Sequence, residues 1–123
     1  MKKIKFPKKL RRDWLKALRS GKYEQCQGEL KDSSINGSFC CLGVLGKILK
    51  IDDKDLEGKG DLTSKGFEFK HTIKFPKALV QFNKKKKTRK NTDFCNHLIS
   101  MNDDNYDSFN TIADYIEEKT VGV

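Results

Sequence analysis

Phe39-Cys40-Cys41-Leu42-Gly43-Val44-Leu45-Gly46-Lys47-Ile48-Leu49 is the most apolar stretch of the chain. Cys41, Val44, Leu45 and Ile48 stand at i, i+3, i+4 and i+7, and Leu42 and Leu49 widen that stripe. The spacing predicts a helix over 40–50 that is buried on most of its sides. Gly43 and Gly46 weaken such a helix taken alone. Their missing side chains let another backbone approach closely, which suits a helix at the centre of a core.

Upstream, Pro7 opens a second helix and Gly21 ends it. Leu10, Trp14, Ala17 and Leu18 share one face, and Lys8, Lys9, Arg12, Lys16 and Arg19 share the other. A Lys/Arg face of this kind is ordinarily solvated, and the apolar stripe is more simply used in the core than at a membrane surface. The weak alternation of Tyr23 to Asp32, followed by the Asn36-Gly37 turn pair, predicts a hairpin of residues 23–31 and 37–40. Downstream, Ile51 to Lys65 reads as a loop. Phe67, Phe69, His71, Ile73 and Phe75 alternate as in a strand. Pro76 opens a short helix over 76–83, with Ala78, Leu79 and Phe82 inward. Lys84 to Lys90 is a basic run and reads as part of a mobile loop over 84–91. Residues 92–101 are ambiguous: Phe94, Leu98 and Met101 suit a helix, while Leu98 and Ser100 weakly suggest a strand. Phe109, Ile112, Ala113 and Ile116 define a last helix over 108–119. The fold class is therefore α+β, a small antiparallel sheet with about four helices packed around the buried central one. A length of 123 residues suits one domain spanning 1–123, with residues 1–6 as a basic N-terminal arm.

The net charge of +9 is unevenly placed. Residues 1–22 hold ten Lys/Arg against one acid, and 76–92 hold seven against none. Residues 93–123 hold one Lys against seven acids, a balance of −6. Two basic blocks of this kind can converge on an anionic ligand or meet acidic surface on a second subunit, so a homo-oligomer is expected. No apolar run approaches the roughly 20 residues that span a bilayer, and the basic start is not followed by an apolar stretch. Without an export signal, Cys26, Cys40, Cys41 and Cys95 read as reduced, mostly buried thiols of a cytoplasmic protein with no membrane partner.

Three segments carry a resemblance. They are Trp14-Leu15-Lys16-Ala17-Leu18-Arg19-Ser20-Gly21-Lys22-Tyr23-Glu24-Gln25, Phe39-Cys40-Cys41-Leu42-Gly43-Val44-Leu45, and Met101-Asn102-Asp103 with Ser108-Phe109-Asn110-Thr111-Ile112-Ala113-Asp114-Tyr115-Ile116-Glu117. Together, and in this order, they resemble a family of small phage- and prophage-encoded proteins without assigned activities. The resemblance implies a setting, the cytoplasm of an infected bacterial host, more than a reaction. The usual match places another cysteine where this chain has Gly46, which argues against an obligatory metal site there.

Chemistry-bearing residues are sparse. His71 and His97 are the only histidines, and Cys95 and His97 face one side only in an extended segment. A zinc site drawn from Cys26, Cys40 or Cys41, Cys95 and His97 is disfavoured, because adjacent cysteines on a helix diverge by roughly 100°. There is no glycine-rich phosphate loop. No catalytic residue, no metal and no cofactor is expected, and the chain reads as a binding protein rather than an enzyme. The first reading is a phage counter-defence protein that sequesters an anionic, nucleotide-derived immune signal of cyclic-nucleotide or ADP-ribose type without cleaving it. Arg19, Tyr23 and Gln25 after the first helix, and Asn102 and Asp103 before the last, supply a cation, an aromatic wall and amide and carboxylate groups at element ends. The alternative is a basic nucleic-acid-binding accessory protein, or an inhibitor of an acidic host protein, using Lys8, Arg12, Lys16, Lys85, Lys87 and Arg89.

Overall fold

The computed structural model describes residues 2–34, 37–83 and 85–123. In chain order the elements are β1 (Ile4–Phe6), α1 (Lys8–Arg19), α2 (Cys41–Ile48), α3 (Asp53–Leu56), α4 (Phe69–Thr72), β2 (Val80–Asn83), β3 (Thr88–Asn91), α5 (Asp93–Asp103), α6 (Phe109–Lys119) and β4 (Thr120–Gly122). The class is mixed α+β, with one two-stranded antiparallel sheet, β2 with β3, and one parallel pair, β1 with β4.

The central helix forms where the apolar spacing places it. Every residue of α2 from Cys41 to Gly46 is buried. Cys40 caps it, its sulfur accepting from the Gly43 amide at 3.4 Å. The close approach foreseen for the glycines is made by the segment before α2. The Cys40 amide donates to the Leu30 carbonyl, and a Cβ on Gly43 would lie 1.7 Å from that oxygen. Gly46 faces the buried side chain of Leu56 on α3. Helix α1 buries Trp14, Leu15 and Leu18, and the Trp14 indole donates to the Cys41 carbonyl at 3.0 Å. That bond satisfies the one polar atom of a fully buried tryptophan.

Five stretches differ from the sequence expectation. Residues 23–40 make isolated bridges, Gln25 with Phe39 and Lys31 with Phe39 and Glu57, rather than a hairpin. This segment must deliver the Leu30 carbonyl to the start of α2, which a regular ladder would not do. The expected turn pair begins at Asn36, which lies outside the described residues. Residues 67–75 are a helical turn, not a strand. Phe67, His71, Thr72 and Phe75 are buried, a helical spacing, while Phe69 and Ile73 remain 40% and 52% exposed. After a single turn at Pro76, residues 80–83 become a strand instead of a helix. Its partner β3 comes from the basic run, where a loop was expected; Lys84 lies outside the described residues. Arg89 and Lys90 make β3 a suitable edge, because charge discourages further pairing. Finally, part of the expected N-terminal arm is β1, which pairs Ile4 with Thr120 and Phe6 with Gly122.

The remaining helices follow their caps. Thr92 accepts from the Cys95 amide at 3.1 Å and Ser108 from the Thr111 amide at 3.2 Å. Among the described residues, no helix is long and apolar enough to cross a membrane.

Candidate functional site

The turn of α4 and the β2–β3 hairpin form the walls of a groove of about 940 Å³. Phe69, Ile73, Phe75 and Phe82 supply its apolar surface, with Pro76 at its base. Phe69 and Phe82 meet edge to face, their centroids 5.6 Å apart. The rim carries Lys74, Lys77, Lys87 and Arg89 and no carboxylate.

Arg89 fixes this arrangement. It stands opposite Phe82 in the hairpin register and donates to the Thr72 hydroxyl and the Phe67 carbonyl, both at 2.5 Å. Both acceptors are neutral, so the guanidinium ties the hairpin to α4 without having its charge cancelled. Among the described residues, none of the four rim cations is ion-paired. The hairpin tip continues the positive field with exposed Lys85 and Lys86, the Lys86 amide donating to the Asn83 side chain.

The five residues expected to hold a nucleotide do not line this groove, and they do not form one pocket. Arg19 turns away from the others and donates to Asp114 at 2.8 Å and Glu117 at 2.6 Å on α6. Those hydrogen bonds hold its guanidinium more firmly protonated than usual. Tyr23 packs edge to face on Phe39. Gln25, Asn102 and Asp103 do come together, but as scaffolding. Asn102 is fully buried; its oxygen accepts from Gln25 and from the Cys41 amide, and its amide donates to the Cys26 carbonyl and to Asp103. With both donors and its acceptor engaged, it joins the Gln25–Cys26 segment and the end of α5 to the start of α2 and has little capacity left for a ligand.

Of the expected basic surface, Lys8, Arg12 and Lys16 are exposed on α1, Lys85 and Lys87 at the hairpin tip, and Arg89 lines the groove. Arg11, which the sequence did not single out, donates to the Thr120 hydroxyl and the Glu117 carbonyl at the end of α6. With Arg19 it shows that part of the basic N-terminal block meets the acidic C-terminal block inside one chain. The groove's decisive residues, Phe69 and Ile73, were missed for one reason: the strand reading turned them inward.

A second hollow of about 570 Å³ lies between α5, α6 and the start of β1. Its Phe94, Tyr115 and His97 rings stack, but Asp93 and Glu118 line it beside Lys2, Lys3 and Lys119, so its charge is mixed. The cysteines are buried, and burial pushes the thiols of Cys26 up to about 11 and of Cys40 and Cys95 up to about 12. Thiols so displaced remain protonated at neutral pH. Cys95 is buried and His97 exposed on the helix α5, so the two do not form a nucleophile–base pair. Among the described residues, no group of three or more His, Cys, Asp or Glu is placed to hold a metal ion.

The family model described as "Domain of unknown function (DUF8296)" matches residues 6–120, from the last residue of β1 to the first of β4. The chain belongs to this family. The match takes in the groove and the central helix and leaves out most of the β1–β4 pair. Neither a curated protein nor a solved structure matches the chain.

Proposed function

We propose that this chain is a nucleic-acid-binding accessory protein that holds a single strand in the groove between α4 and the β2–β3 hairpin, without turning it over. One observation carries the reading: an apolar surface of exposed Phe69 and Ile73 and half-buried Phe82 is lined, among the described residues, by four cations and no carboxylate. Single-strand binding needs those two things, a face on which bases stack and a positive track for the backbone. A duplex hides its base faces, so the apolar floor favours an unpaired strand. Stacking is worth about 1–3 kcal/mol per base. Neutralising four phosphates gives a log–log salt slope of about −2.8 for a single strand.

The sequestration of a small nucleotide signal is the second reading, and the size of the groove favours it. A hollow of about 940 Å³ falls within the roughly 300–1,000 Å³ of small-molecule sites. Against it, the positive charge continues past the groove to exposed Lys85 and Lys86, as a track for a strand would. The resemblance of the three sequence segments supports reading either activity as one of the cytoplasm of an infected bacterium, in counter-defence or in nucleic-acid handling. A homo-oligomeric state belongs to the same proposal.

Anisotropy titrations decide between these. A labelled oligothymidylate should bind, with equal-length duplex weaker and cyclic dinucleotides or ADP-ribose unable to displace it at micromolar concentration. Tight binding of a mononucleotide or cyclic dinucleotide, with none of the strand, would transfer the groove to the second reading.

A further inference from the structure

Among the described residues, the most exposed large apolar side chain is Tyr106, at 71%. It stands in the turn between α5 and α6 with φ of 56°, a left-handed conformation that an aromatic residue rarely adopts. The turn is pinned on both sides of it. The Asn105 amide donates to the Ser100 carbonyl, the Asp107 amide to the Met101 carbonyl, and Gln25 to the Asp107 carbonyl. The ring is therefore held out into solvent by a fixed backbone.

Asp103, Asp104 and Asp107 stand within three residues of Tyr106 in the chain. Asp103 accepts from Asn102 and Asp104 from Ser100, and among the described residues none of the three is ion-paired. An aromatic knob carrying three unpaired carboxylates is the complement of an aromatic groove carrying four unpaired cations. It also presents the same chemistry as a base flanked by phosphates.

We infer that the Tyr106 turn of one copy docks in the Phe69–Phe82 groove of a second copy, and that this contact closes the groove to nucleic acid. The turn and the groove are different surfaces, so the contact is head-to-tail and builds rings or filaments rather than a two-fold dimer. Opposite charges steer the encounter and set its orientation. The closing function rests on the single-strand reading of the groove; the contact itself rests only on the two surfaces.

Light scattering on the purified chain tests this. Wild type should exceed the monomer mass and grow with concentration, and raised salt should reverse the growth. Tyr106→Gly removes the ring while accepting the left-handed backbone, and Ile73→Glu places a carboxylate on an exposed groove position. Each variant alone should run as a monomer. An equimolar mixture should give a dimer and nothing larger, because it holds one intact turn and one intact groove per pair. A ten-nucleotide oligothymidylate should return wild type to the one-chain mass. Wild type that stays monomeric up to millimolar concentration overturns the contact, whatever the variants do. A monomeric wild type that binds the strand leaves the nucleic-acid reading standing without this inference. A head-to-tail pattern with no strand binding leaves the contact standing without that reading.

Discussion

Gly43→Ala adds one methyl group where the central helix meets a backbone. The new Cβ would lie 1.7 Å from the Leu30 oxygen and 2.7 Å from its carbonyl carbon. A carbon and a carbonyl oxygen settle at about 3.3 Å or more, so the two segments must separate by roughly 1.6 Å. Leu30 cannot retreat freely. Its carbonyl accepts from Cys40 at 3.2 Å and its amide donates to Lys59 at 2.6 Å. Overpacking costs about 1–3 kcal/mol, and a buried group left without its partner costs about 1–3 kcal/mol more. The better helix propensity of alanine offsets about 1 kcal/mol. The net expectation is a destabilisation of about 3 kcal/mol, a large share of the roughly 5–15 kcal/mol of a typical domain. Gly46→Ala is the control. Its Cβ would meet Leu56 Cδ2 at 2.9 Å, the end of a side chain that can rotate, so repacking and propensity should nearly cancel. Urea unfolding followed by the fluorescence of Trp14, the only tryptophan, measures both. A Gly43→Ala protein within about 1 kcal/mol of wild type, or no weaker than Gly46→Ala, would refute the backbone contact.

Other perturbations separate scaffold from site. Asn102→Ala removes a buried hub and leaves the Cys41 amide and the Cys26 carbonyl without that partner, so urea unfolding should show a loss of about 3 kcal/mol. Arg19→Ala breaks two solvent-accessible ion pairs and should lower stability by less than about 1 kcal/mol, with oligothymidylate affinity unchanged in the same anisotropy assay. Stability should also fall in alkali. The buried thiols of Cys26, Cys40 and Cys95 titrate near 11 to 12 when folded against 9.0 ordinarily, so the unfolded chain loses its protons first. Their contribution is intact below pH 9 and is lost as pH rises through 12. The urea midpoint should drop across that window, and less steeply for Cys40→Ser.

What the sequence made legible was the set of helices with one buried stripe. Residues 41–48, 8–19 and 109–119 each repeat apolar residues at helical spacing, and burial follows that spacing in the fold. Residues 67–75 misled because Phe67, His71 and Phe75 satisfy periods of two and of four alike. Only Phe69 and Ile73 tell the two apart, and their exposure is set by tertiary contacts. The β1–β4 pair joins Ile4 to Thr120, two chain ends with no local signal for each other. Asn102 and Gln25, singled out as ligand contacts, bond to each other instead; hydropathy could not say that the asparagine is buried with its hydrogen bonds engaged inside the protein. The basic run at 84–90 was visible as charge. Its pairing into a hairpin, and so the groove, depends on Arg89 reaching Thr72 and Phe67.

Backbone amide shifts of isotope-labelled Tyr106→Gly protein, whose groove no neighbouring turn can fill, titrated with oligothymidylate, test the central claim most directly. Saturable perturbations confined to Phe69, Ile73, Lys74, Lys77, Phe82, Lys87 and Arg89 are the predicted result. Perturbations centred on Arg19, Tyr23, Gln25 and Asp103, or spread evenly over Lys8, Arg12 and Lys16 as well, would contradict it.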